Sequence, residues 1–458
     1  LGRAPLRPGV AGMGVRWLLV VPLFALLTAC GGSVHHTLPP AAQASPTPAA
    51  VTTISWSFWG DPQERSINER IVGLFEKEHP EIHVETRWAA YGDYILRIKQ
   101  WDAEGDPPDV AFLSDVPPYA ESGYAADLSP LIAADHYDLN DFYPQIVDGF
   151  RYRGDLYGLP RDNDTKVIFY NKDLFDAAQL PYPQEGWSWD DLRRDAIALS
   201  TGGAQARYGF AFEPDTWWKL WVWQNGGEIY DGQAAPKRLT LDSPAALGAL
   251  QYLHDLIYVD HATPPYSALT SSEQIGQLFV AGRLAMAFGN HALVPLFAGT
   301  AGLHWAAAPL PHAAQSVNYA GGAGYVIAAR SRHPQQAWTF LKWLLSTKGE
   351  AVFTESGLIV PSRRSVGNSN LFLQQGVPAA SHGLSPASGD GPGGLSPEVG
   401  RVFISETERG RKDAQFHGYL AIFDAVNAGV TPIFAAGADP RTVISGLTPQ
   451  INAMLGGR

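Results

Sequence analysis

The chain runs to 458 residues, 45% of them hydrophobic and 17% charged, which excludes wholesale disorder and leaves room for two or three cored domains. A formal charge of −12 argues against a nucleic-acid binder, because such proteins need basic patches to displace counterions. A single cysteine excludes an intrachain disulfide and a cysteine zinc cage, while 14 Trp, 18 Tyr and 20 Phe mark a fold that uses aromatic surface freely.

The first predicted element is an address. Trp17–Leu27 is the longest apolar run, too short to span a bilayer but suited to the core of a signal peptide, with Arg16 as its positive flank and Met13 as a plausible start. It ends in Leu27-Thr28-Ala29-Cys30-Gly31, which resembles the bacterial lipoprotein box. That resemblance implies acylation of Cys30 and a mature protein anchored to the cell membrane, with residues 1–30 as the leader. Residues 31–50 carry no charge and no apolar period and are rich in Ala, Pro and Ser, so a disordered linker is expected. Fully stretched, it would reach roughly 65 Å. His35 and His36 fall in this tail, where solvated side chains are a better reading than metal ligands.

From Val51 the pattern alternates strand and helix. Ile54, Trp56 and Phe58 predict a strand over 51–59, and Asp61-Pro62-x-Glu64 opens a helix whose buried stripe is Ile67, Ile71, Leu74 and Phe75. A strand at Ile82, Val84 and Thr86, a helix at Tyr94, Ile95 and Ile98, and a buried strand over 109–113 follow. After Tyr157-Gly158-Leu159-Pro160 the alternation restarts. Strands are expected at 167–170, 208–212 and 284–288, with helices from the Ser188 capping box and over 242–258 and 271–281. Beyond Pro334 the chain is mainly helical, with Trp338, Leu341 and Leu345 on one face, and 367–397 reads as a long loop. The fold class is therefore α/β, in two lobes with a sheet each.

Several stretches together resemble the extracellular solute-binding proteins of sugar ABC transporters, the group of maltose-binding protein. They include Pro107-Pro108-Asp109-Val110, Tyr157-Gly158-Leu159-Pro160, Phe169-Tyr170-Asn171-Lys172-Asp173-Leu174-Phe175 and Trp187-x-Trp189-Asp190-Asp191-Leu192. Gly282-Arg283-Leu284-Ala285-Met286, Gly321-Gly322-x-Gly324-Tyr325-Val326-Ile327 and Trp338-x-Phe340-Leu341-Lys342-Trp343 continue the set in the family's order. The resemblance implies a two-lobed periplasmic-binding-protein fold of type II, hinged at three crossovers near 161–165, 305–309 and 328–332. The lobes are expected at 51–162 plus 305–330 and at 163–304 plus 331–458. It further implies a monomer that captures a mono- or oligosaccharide between the lobes and hands it to ABC permease subunits outside the cytoplasm, without catalysis, cofactor or metal.

A sugar offers hydroxyls, which suit carboxylate acceptors, and apolar C–H faces, which suit Trp and Tyr. The resemblance makes Asp61, Asp115, Asp164 and Glu213 binding acids; for Asp61 helix capping is an equal alternative, and for Asp115 a loop cap is a weaker one. Trp59 is a candidate stacking face, and Tyr91, with Asp93 beside it, opens a helix near the expected cleft. Of Trp217, Trp218, Trp221 and Trp223, helical spacing sends Trp217 and Trp221 to the core and leaves Trp218 as the preferred stacking ring. His291 stands where relatives usually carry Trp, with a surface histidine as the alternative. Gly322 and Tyr325 form the last candidate loop, where glycine lets backbone approach a ligand. Asp162-x-Asp164 is too short for a calcium loop, Gly322-x-Gly324 leads into a strand and not a dinucleotide-binding helix, and Arg363 and Arg364 are expected in solvent. Two rival functions use the same residues: a lipid-anchored glycoside hydrolase, which needs a close carboxyl pair, and a sensory sugar-binding protein.

Overall fold

The computed structural model describes residues 50–457 apart from 61, 204–205, 356, 358 and 374–395. The leader, Cys30, the linker and Asp61 lie outside the described residues, as does the Tyr91 side chain. Thirteen strands are described in chain order: β1 Thr52–Trp59, β2 Ile82–Ala89, β3 Val110–Leu113, β4 Arg151–Tyr152, β5 Asp155–Leu156, β6 Leu159–Pro160 and β7 Val167–Asn171. β8 Tyr208–Ala211, β9 Leu284–Gly289, β10 Trp305–Ala308, β11 Asn318–Tyr319, β12 Gly324–Ile327 and β13 Gly410–Arg411 complete them.

Two main sheets result. The first has the order β2-β1-β3-β12-β6, with β1 parallel to β2 and β3, and β12 antiparallel to β3 and β6. The second has the order β10-β7-β9-β8, with β8 and β9 parallel and β7 antiparallel to both its neighbours. Each sheet has its own hydrophobic core, so this is the two-lobed α/β arrangement expected. β1 shows why a buried parallel strand still carries serines. Ile54, Trp56 and Phe58 are buried, and so are Ser55 and Ser57. The Ser55 amide donates to Asp109 Oδ2 at 2.8 Å, and the hydroxyls of Ser57 and Tyr94 lie 2.8 Å apart, so burial leaves neither serine unpaired. The helix Trp189–Leu199 starts at the anticipated capping box, with Ser188 and Asp191 bonded reciprocally. Among the described residues no helix is long and apolar enough to cross a membrane.

The lobe boundaries depart from expectation in two places. β10 pairs with β7, so 305–308 belongs to the second sheet and not to the first lobe. The helices Pro334–Leu344 and Thr347–Glu355 pack into the first core, not the second. Phe340 causes this: its ring meets Trp56 edge-on at 5.2 Å and Phe75 at 4.8 Å, both first-lobe side chains. The third crossover therefore falls near 359–363 rather than 328–332, since Ile359 lies in the first core and Val360 in the second. Arg363 is half-buried at that crossover instead of solvated, with its guanidinium 3.0 Å from Asp141 and over the Phe142 ring at 4.3 Å. The segment expected as a long loop includes a short helix, Asn370–Leu373.

Residues 161–166 run down the middle of the hinge with a crossover on either side. On one side the Asn163 amide donates to the Val360 carbonyl at 3.1 Å. On the other, the amides of Arg161 and Asp164 donate to the carbonyls of Ala323 and Gly321 at 2.9 and 2.7 Å. Gly322 is required here, because a Cβ on it would lie 2.3 Å from the Asp162 carbonyl oxygen.

Candidate functional site

A cavity of about 290 Å³ opens between the two cores beside this hinge. The turn after β3 and the helix Val116–Glu121 supply Asp115 and Glu121 from the first-lobe side, and the β4–β5 hairpin region adds Phe150 and Tyr152. The second crossover contributes Tyr319, Gly321 and Gly322. From the other side, the stretch after β13 brings Asp413, Phe416 and Tyr419. Gly418 begins that last turn with φ of 70°, a left-handed conformation, and the helix Tyr419–Ala435 starts immediately after it.

Acids and rings are interleaved. Lys219, itself buried, donates to Asp413 Oδ2 at 2.5 Å, and its ammonium lies 4.9 Å from the Tyr319 ring centre. The Tyr319 ring meets Trp217 edge-on at 5.1 Å, and Lys166 caps the same Trp217 at 3.8 Å. Burial, then the carboxylates of Asp413, Asp115 and Asp164, push the Tyr319 phenol well above its ordinary range. Tyr419 is raised in the same way by burial and by Asp413. Asp115 is open to the cavity yet surrounded by protein, and burial together with Asp413 and Asp424 raises its carboxyl against the pull of Lys219. Burial also acts upward on Glu121, but hydrogen bonds from His417 and Tyr152 outweigh it and the net shift is downward.

The candidate residues separate under this geometry. Asp115 and Gly322 line the cavity. Asp164 sits in the hinge, bonded to Lys166 at 2.8 Å and to Asn290, and reaches the cavity only through its field on Tyr319. Trp59 is half-buried, its ring stacked on Phe112 at 4.2 Å. Tyr91 opens the helix Tyr91–Ala103. Glu213 stands before the helix Pro214–Gln224 and takes the Ser272 hydroxyl, away from the cavity lining.

Three expectations are corrected outright. Trp218 is a core residue: its ring is fully buried and its Nε1 donates to Asn427 Oδ1 at 2.8 Å. Tyr325 is fully buried in the first core, between Trp56 and Phe112. His291 is buried against Phe372 and Phe403, and desolvation pulls its pKa down to about 4, so it is neither a surface residue nor a cavity residue. The residues missed were Tyr319, Asp413, Phe416 and Tyr419. For Asp413, Phe416 and Tyr419 the signal was present as acids and aromatics packed into 413–424, across a loop that turns into a helix.

A two-lobed body with an acid-and-ring cavity at its hinge is the architecture of a captor. Residues 60–351 match the family described as bacterial extracellular solute-binding protein. The chain belongs to that family. Among curated proteins, this solute-binding protein is 24% identical over 330 residues to the galactooligosaccharide-binding protein of Bacillus subtilis (strain 168), covering 69% of this chain and 74% of that one. Among solved structures it is similar to the ABC substrate-binding protein Lmo0181 from Listeria monocytogenes in complex with cycloalternan, with TM-score 0.74 and 22% identity over 89% of this chain and 99% of that one. The sugar-binding protein MalE from Xanthomonas citri gives TM-score 0.74 and 20% identity, over 89% and 98%. These likenesses establish the solute-binding fold across residues that carry both sheets.

Proposed function

We propose that this solute-binding protein captures a mono- or oligosaccharide between its lobes and delivers it to the permease subunits of an ABC importer. In this reading it works as a monomer on the outer side of the cell membrane, held there by a lipid on Cys30, and leaves the sugar chemically unchanged. The observation that carries the proposal is the cavity wall, with Asp115 and Phe150 on one side and Asp413, Phe416 and Tyr419 on the other. Carboxylates suit hydroxyls and rings suit C–H faces, and a ligand drives closure only if it touches both lobes. The oligosaccharides named for the Bacillus and Listeria relatives point the same way.

A thermal-shift screen of the purified chain against neutral oligosaccharides tests it. At least one should raise Tm, compact the protein in small-angle scattering and be recovered intact. Tyr319→Ala should weaken that sugar at least tenfold by calorimetry. Release of reducing ends would favour the hydrolase instead, and deletion of the gene with loss of signalling but not of uptake would favour the sensor.

A further inference from the structure

The cavity holds more negative charge than hydroxyl groups require. Asp115, Glu121 and Asp413 line it against a single lining lysine, Lys412. The Lys412 ammonium is 3.4 Å from the Asp148 carbonyl, and Lys219 behind the wall is engaged by Asp413 Oδ2. Asp115 makes no side-chain hydrogen bond or ion pair among the described residues. Asp413 Oδ1 and the Tyr419 hydroxyl are closed off from solvent and have no partner there either. Asp424 adds a further acid whose field falls on Asp115.

We infer that the preferred ligand of this cavity is a saccharide bearing a protonated amine, its ammonium held by Asp115 within the field of Asp413. The inference rests on the sugar reading above and narrows it. A hydroxyl placed there donates one hydrogen bond and leaves the charge of the wall unchanged. An ammonium donates up to three charge-assisted bonds, supplies the missing positive charge, and finds the faces of Tyr319 and Tyr419 beside it. A phosphorylated or uronic sugar meets a field of its own sign.

Calorimetry on the full chain at pH 6 and low salt tests this with matched twins. Glucosamine oligomers are compared with β-1,4-glucose oligomers of equal length, and glucosamine, galactosamine and mannosamine with their parent hexoses. At least one amine should bind tenfold or more tighter than its hydroxyl twin. Asp115→Asn, which removes charge but no hydrogen bond, should narrow that ratio below threefold. Asp424→Asn, exposed on the helix Tyr419–Ala435, should narrow it by a smaller factor. Hydroxyl twins that bind as tightly as the amines, or a preference that survives Asp115→Asn, would overturn the inference while leaving sugar capture intact. Absence of binding by these sugars and by the neutral panel alike would overturn the sugar reading, and this inference with it.

Discussion

Trp217 and Trp218 are neighbours on one helix and have opposite duties. Trp217 faces the hinge, between Lys166 and the Tyr319 ring, while Trp218 is sealed against Asn427 and Phe423. Trp218→Ala should cost about 3–5 kcal/mol in urea denaturation and leave sugar affinity within about twofold. Trp217→Ala should weaken binding severalfold, because Tyr319 loses the ring that fixes it. Equal affinity losses in the two variants would contradict this division. Helical spacing rightly sends Trp217 and Trp221 to the core but wrongly turns Trp218, about 100° away, out of it. The reason is local: Pro214 and every residue from Trp217 to Gln224 is buried, so the helix has no solvent face to orient it. Asp115 was legible because it follows a short, wholly apolar strand, the position where α/β sheets present ligand-binding loops. Tyr319 was not, since its partners Trp217, Lys219 and Asp413 come from distant parts of the sequence.

The element Thr347–Glu355 is tied to the third crossover by one buried carboxylate. Glu350 Oε1 accepts from the Ser362 amide and hydroxyl, both at 2.7 Å, and from the Arg363 amide at 3.2 Å, while Oε2 has no partner among the described residues. Burial raises its pKa from 4.5 to about 7, with the Ser362 bonds and the nearby Arg363 charge opposing. A carboxyl raised on folding contributes stability below its unfolded pKa and loses it as pH climbs through the folded value. Between pH 5 and 8 that loss is about 2–3 kcal/mol. Glu350→Gln should therefore gain about that much relative to the parent protein across this window, measured as the difference in unfolding free energy at each pH. Taking the difference cancels Glu406, raised to about 6, and His291, lowered to about 4, which titrate in both proteins. A constant difference across the window would remove Glu350 from the account. Strands and helices themselves were readable to within a few residues, because alternation, capping boxes and Pro at helix starts are local signals. Crossovers are not local: only packing of Phe340 on Trp56 and Phe75 reveals which lobe owns the helix Pro334–Leu344.

Across the whole molecule, the stretch after β13 leans onto the opposite side of the cavity. Gln415 Nε2 donates to the Gly149 carbonyl at 3.1 Å, and His417 contacts Glu121. These contacts exist only while the lobes are near one another, so they bias a hinge that the ligand also biases. Exposed ion pairs contribute at most about 1 kcal/mol. The combined variant Glu121→Gln and Gln415→Ala should therefore raise the radius of gyration of the sugar-free chain in small-angle scattering and weaken sugar binding about two- to fivefold. An unchanged profile would mean that the hinge alone sets the spacing of the lobes. The same stretch continues backward without a break into the hinge: Glu406 accepts from Asn318, and Thr407 lies 2.8 Å from the Thr165 hydroxyl. Residues 406–421 thus join pivot and wall in one ribbon. Selection on taste in this chain is consequently selection on stiffness too, and a graft that borrowed the ribbon from a cousin would inherit its partner's appetite and its spring together.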